Sequence, residues 1–196
     1  MNIKTLFIKL SALVLLSACN SSYTTEVISF HDMAASNGNK VMIVPGRDVR
    51  PDATFAHFAN TLKARLNKEG FSSVNGGEAD IVVTVNYKVQ EKVERPTDFY
   101  WRDVIFISEP NLTHTTRLYD NFVYPTKHIR SLDIVMSNSN GRVLFEGRGI
   151  SVGGFKNIDQ ILPYMLEAVL EDFPGESGTV KEITINEEDL NNYMSS

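Results

Sequence analysis

From Ile81 onward, apolar and polar side chains alternate along the chain with Val82 as the one exception. Ile81, Val83, Val85, Tyr87 and Val89 point one way, and Thr84, Asn86, Lys88 and Gln90 point the other. A strand repeats every two residues, so a strand over 79–93 has one face to bury and one to wet. Such a strand needs neighbours in a sheet and a cover on one side. The cover is written just upstream. Phe55, Phe58, Ala59, Leu62 and Leu66 fall on one face at helical spacing. Asp52 is placed to cap that helix. Gly70 stands at C′ and Phe71 at C″, where it meets Leu66 in a Schellman ending.

Other segments supply the rest of a sheet. Val41-Met42-Ile43-Val44 is a continuous apolar run ending at Pro45, the pattern of a central strand buried on both faces. Strand, helix and strand in that order imply a right-handed crossover. Val27 to Phe30 reads as an edge-like first strand. Ile129 to Met136 and Arg142 to Arg148 flank Asn140-Gly141, a strong hairpin signal. A second helix is expected over Asp159 to Phe173, with Ile161, Leu162, Met165, Val169 and Phe173 on its apolar side and Pro163 in the first turn. Residues 27–175 thus read as a single globular domain. An acidic polar tail, 176–196, holds a short strand at Val180–Ile185.

The N-terminus reads as a targeting segment. Lys4 and Lys9 precede a short apolar run from Leu10 to Leu16, then Leu16-Ser17-Ala18-Cys19. Leucine, two small residues and a cysteine resemble a bacterial lipobox. That resemblance implies a signal peptide over 1–18, cleavage before Cys19, and acyl chains on Cys19 and its new amine. Residues 19–26 would be the lipidated N-terminus and a polar tether. One acyl chain anchors only marginally, whereas two or three hold. Asn20 in place of aspartate favours the outer membrane, by analogy with bacterial sorting. The partner implied is a membrane, through lipid on Cys19, with the domain in the periplasm. No run reaches 18 apolar residues, so no spanning helix is expected.

Residues 94–128 break the regular pattern. Phe99, Tyr100, Trp101, Phe106, Tyr119, Phe122 and Tyr124 crowd this insertion with Pro96, Pro110 and Pro125. Val104 to Ser108 can form a strand within it. Long insertions are often functional. Tyr, Trp and Arg dominate binding hot spots, so Phe99, Tyr100, Trp101 and Arg102 are the candidate partner or ligand surface. The competing reading has these rings covering a sheet face as core.

The order of these signals resembles the envelope lipoproteins grouped as domain of unknown function 4136. The resemblance rests on Phe55 to Phe71, Ala79 to Val83, the hairpin Ile129 to Gly149, and Glu171-Asp172-Phe173-Pro174-Gly175. It implies an α+β fold, an α/β sandwich with a mostly antiparallel sheet and two helices packed on one face. The expected order is β-α-β-(insertion)-β-β-α. The resemblance carries over no catalytic residues.

Signs of chemistry are sparse. His31, His57, His114 and His128 form no His-x-x-x-His or Glu-x-x-His pair, so no metal is expected. There is no Gly-x-Ser-x-Gly, and Cys19 is the lone cysteine. Glu91, Glu94, Asp98 and Asp103 read as a solvated acidic face before they read as paired catalytic carboxylates. Gly147-Arg148-Gly149 and Gly153-Gly154 lack phosphate-loop spacing, and read as places where a strand bends or bulges. Glu187-Glu188-Asp189 reads as solvated tail. A net charge of −5 argues against nucleic acid as a partner. The expectation is a non-catalytic envelope lipoprotein without cofactor. It would bind an envelope protein as an assembly or maintenance factor, or else take a small apolar or glycan ligand.

Overall fold

The computed structural model describes residues 21–36, 38–74, 76–93, 103–109, 112–117 and 126–195. In chain order the elements are β1 (Ser22–His31), β2 (Lys40–Pro45), α1 (Ala53–Lys68), β3 (Ser72–Ser73), β4 (Ile81–Val93), β5 (Asp103–Glu109), β6 (Leu112–Arg117), β7 (Thr126–Asn138), β8 (Val143–Gly153), α2 (Leu162–Leu170), β9 (Val180–Asn186) and α3 (Glu187–Ser195). Seven strands make one sheet in the order β3-β2-β4-β7-β8-β1-β9, and β5 and β6 make a separate hairpin.

The mostly antiparallel sheet is corrected to a mixed one. β2 runs parallel to both β3 and β4. β4, β7, β8, β1 and β9 then alternate in direction. The cause is α1. A helix inserted between two strands returns the chain in its original direction, whereas a hairpin reverses it.

Local signals explain α1 well. Asp52 accepts from the Phe55 N–H at 3.0 Å. At the other end Phe71 N–H reaches the Leu66 carbonyl at 3.0 Å and Gly70 N–H the Asn67 carbonyl at 3.1 Å, with Gly70 at φ +88°. Those two bonds are the Schellman ending. α2 is shorter than its apolar stripe predicts. It starts beyond Asp159, which accepts from the Thr54 hydroxyl at 3.4 Å and does not cap it. The β7–β8 turn places Gly141 at φ +80°, and Gly141 N–H donates to the Asn138 carbonyl at 2.9 Å.

Both helices lie on the face predicted to be buried. Phe58 of α1 packs on Tyr87 of β4 with ring centroids 6.2 Å apart. Val169 of α2 lies over Gly147 and Gly149 of β8. Register links these positions, since Tyr87 pairs with Leu132 and Leu132 with Gly149. Val83, Val85, Leu132, Ile134, Met136 and Phe145 form the sheet side of the core, and Leu62, Leu66, Met165 and Leu166 the helix side.

The short strand expected at Val180–Ile185 is β9, which pairs with β1 along its length. Ile185 of β9 is buried in the core. Two other segments depart from expectation. β1 begins at Ser22, inside the stretch read as tether. The run Val41–Val44 is not buried on both faces. Val41 is fully buried, but Met42 and Val44 are half-buried on the other face, in register with half-buried Val82 and Thr84, and Ile43 is half-buried beyond the end of β3.

Candidate functional site

The shortness of β3 leaves an opening. Val41 accepts from the Val74 N–H at 2.9 Å on the β3 side. Backbone groups on a strand alternate sides, so the N–H and C=O of Ile43 point to that same side. There β3 has ended, and on that side no strand of the described residues pairs with β2 from Met42 onward, while β4 pairs with its other side. Pro45, the next outward residue, has no N–H to present. Proline is tolerated in strands chiefly at such edges.

Beside this edge runs a groove of about 350 Å³, lined by Met42, Ile43, Val44, Ala56, Ala59, Asn60, Lys63, Val74 and Gly76. Its floor is the strand edge and its wall is α1, which turns small side chains, Ala56 and Ala59, toward it. An extended peptide added to a sheet edge gains main-chain hydrogen bonds, and alternate side chains fill adjoining pockets. The groove offers both. The opposite edge, β9, offers less. It carries Lys181 and Glu182 at exposed or half-exposed positions, and Lys181 is paired with Asp172 at 2.9 Å. Charges along an edge discourage a further strand. The hollow beside Lys181 measures about 20 Å³.

A second cavity, about 280 Å³, lies between the first turns of α1 and α2, lined by Ala53, Thr54, His57, Phe58, Thr61, Asp159, Leu162 and Pro163. Burial, with Asp52 and Asp159 nearby, pushes the Tyr87 hydroxyl above its ordinary pKa. His57 is exposed at this cavity, as a surface histidine off the apolar stripe should be.

The candidate residues read from the sequence are mostly elsewhere. Cys19, Phe99, Tyr100, Trp101 and Arg102 lie outside the described residues, as do Glu94 and Asp98. Glu91 is bonded to Lys156 at 3.0 Å, which holds its carboxyl below the usual range. His31 Nε2 meets the Gly175 carbonyl at 2.9 Å. Among the described residues no three His, Cys, Asp or Glu side chains gather as metal ligands would. Gly147 and Gly149 do not mark a bulge in β8, since both pair in register with β1 and β7. The only irregularity in its pairing with β7 lies at Met136/Ser137. Sequence reasoning missed the groove, although Pro45 closing an apolar run was its available sign.

A family model described as domain of unknown function (DUF4136) matches residues 43–175. No curated protein matches the sequence. Among solved structures, a PDZ domain protein from Parabacteroides distasonis is similar with a TM-score of 0.51 and 10% identity. The similarity covers 94% of this chain but 43% of that one, so this chain spans under half of its length. PelC from Paraburkholderia phytofirmans, a dodecamer in its crystals, is similar with a TM-score of 0.42 and 15% identity over 78% of this chain and 99% of PelC. The first likeness is one of fold, and the PelC score is too low to extend it.

Proposed function

The chain belongs to the DUF4136 family, and on that premise we propose that it is a lipid-anchored, non-catalytic binding protein of the bacterial envelope that holds an extended segment of a partner protein along the edge of β2. The observation that supports this reading most is the outward side of Ile43, which no strand of the described residues pairs, beside the groove under α1. Free backbone groups recognise another backbone, which suits a protein partner better than a glycan or a lipid. The lipid on Cys19 would hold the domain at the periplasmic face of the outer membrane, and the groove would face its partner there.

The anchor has its own test. A Cys19→Ala variant is expected to leave the membrane fraction and incorporate no labelled lipid. If it stays with membranes and takes up label, the anchoring part of the proposal fails.

The groove is tested by filling it. Ala56 is exposed on α1, so Ala56→Trp is expected to change stability by no more than about 0.5 kcal/mol. Crosslinking in intact cells with the native lipidated protein should capture one near-stoichiometric envelope partner. Ala56→Trp should reduce that capture at least about tenfold, the effect of roughly 1.4 kcal/mol. Equal capture by a folded Ala56→Trp variant overturns the groove as the site.

The cavity between α1 and α2 favours a second reading, the binding of a small apolar ligand. Ligand pockets usually enclose about 300–1,000 Å³. At 280 Å³ the cavity falls just short of that range. The strand edge is therefore the better-supported site.

A further inference from the structure

At the end of the sheet away from the groove, the buried face turns polar. His128 and Arg130 continue the alternation of Leu132, Ile134 and Met136 along β7, so they point toward the helices. Arg130 is 1% exposed and His128 6%. Arg130 donates weakly to Ser151, from Nη2 to the hydroxyl at 3.3 Å and from Nε to the carbonyl at 3.5 Å. It has no carboxylate partner, and Nη1 has no hydrogen-bond partner among the described residues. His128 Nδ1 and the Thr25 hydroxyl are orphaned in the same way. Register brings these groups together. Arg130 pairs with Ser151, and His128 with Gly153. Thr25 stands on the same face of neighbouring β1 and is fully buried. A Cβ at Gly153 would come within 2.7 Å of Arg130 Nη2, so glycine leaves the room the guanidinium occupies.

The segment from Gly154 to Gln160 follows directly on these groups. It leaves β8 beside His128, and within three residues Lys156 bridges to Glu91 on β4, which pairs with His128. Phe155 stands 56% exposed on this segment and packs edge-on against Tyr23 at 6.3 Å. Tyr23 also packs on Tyr164 at 4.5 Å.

A buried guanidinium is costly when it loses water and gains no equivalent partner, and among the described residues Arg130 has no counter-charge bonded to it. Burial pushes its pKa below the ordinary arginine value. A planar fork with free donors is matched by a carboxylate or phosphate, which it grips through two parallel bonds. We propose that Arg130, with His128 and the Thr25 hydroxyl, forms a binding site for a small oxyanion, a carboxylate or phosphate group, beside the 154–160 segment. This site is separate from the β2 groove, and neither proposal depends on the other.

The full chain is titrated with inorganic phosphate and, separately, with succinate at constant ionic strength. Two signals are followed: the unfolding midpoint and the Nε–H resonance of Arg130. At ten times its dissociation constant, the favoured anion is expected to raise the midpoint by about 3–6 °C. It should also move the Arg130 resonance saturably. Arg130→Lys keeps the charge but loses the fork. It is expected to weaken binding at least tenfold, and its missing resonance assigns the signal. A response to phosphate alone or to succinate alone identifies the class of ligand. If neither anion moves the Arg130 resonance in the wild-type protein, the proposal is overturned. A midpoint rise undiminished in a folded Arg130→Lys variant, with no Arg130 resonance shift in the wild type, overturns it equally. The resonance reading in wild type decides the matter even where the variant fails to fold.

Discussion

Arg65→Ala is expected to cost about 3–5 kcal/mol in urea denaturation, the usual consequence of breaking a buried ion pair from one side. Arg65 lies on α1 at 8% exposure and Glu167 on α2 at 2%. Arg65 Nε donates to Glu167 Oε2 at 3.1 Å and Nη2 donates to the Leu170 carbonyl at 2.7 Å. A third contact ties Arg65 to Glu69, one turn along. The guanidinium thus fastens the two helices and also satisfies a carbonyl at the end of α2. Truncation would leave a carboxyl and a carbonyl buried without partners. Replacing both charges, as Arg65→Met with Glu167→Leu, is expected to recover most of the loss, because apolar pairs of similar volume often match buried ion pairs. A loss below about 1 kcal/mol for Arg65→Ala would mean that the pair does not join the helices.

The same pair sets a pH dependence. Burial raises the Glu167 carboxyl above its ordinary pKa, and Arg65 acts in the opposite direction. A carboxyl with a raised folded pKa binds its proton more tightly in the native state than in the unfolded chain. Its contribution is therefore favourable at low pH and is lost as pH rises from the unfolded value through the folded one. Without Arg65 the folded pKa rises further and the window widens upward. Arg65→Ala should accordingly recover more stability than wild type when the pH is lowered from 7 toward 5.

Gly147→Val is expected to cost stability at the upper end of the range for overpacked cores, about 1–3 kcal/mol. A Cβ at Gly147 would sit 2.7 Å from Val169 Cγ1 and 2.8 Å from two carbons of the Phe145 ring. Both neighbours are buried, so neither can swing into solvent. Gly149 repeats the arrangement, with Val169 Cγ2 at 2.9 Å and Thr25 Cγ2 at 3.0 Å. Neither glycine has a positive φ. They are needed for the close approach of α2 to β8, and conformational freedom has no part in it. Trimming the helix should therefore relieve the clash. Gly147→Ala with Val169→Ala should be more stable than the sum of the single effects by at least about 0.5 kcal/mol. Gly154→Ala, which meets nothing within 4 Å, serves as the neutral control. Simple additivity at Gly147 and Val169 would rule out the close-approach account.

The elements fixed by local chemistry were legible in the sequence. Asp52 and the Gly70-Phe71 pair bound α1 because their bonds reach only three to five positions along the chain. The alternation from Ile81 set which face of β4 is buried, and the core lies there. What needs distant partners was less legible. A continuous apolar run such as Val41–Val44 looks the same on a strand flanked along its whole length as on one whose neighbour stops after two residues. Strand direction beyond the hairpin likewise depends on where α1 returns the chain. Gly147 and Gly149 were read as bends because a glycine's neighbour across a core is not written beside it. His128 falls just before the segment read as a strand, and Arg130 falls inside it. Their even spacing with Leu132, Ile134 and Met136 was the sign that they face inward.

The most direct test of the central claim places a photoreactive residue at Asn60, exposed on the groove wall, in the native lipidated protein in intact cells. A matching residue at Thr184 on the β9 edge, exposed on the far side of the sheet, is the control. A partner strand beside β2 predicts adducts from Asn60 that map to one short segment of one envelope protein and disappear with Ala56→Trp. Adducts from Asn60 scattered over many proteins, in the same pattern as those from Thr184, would contradict it.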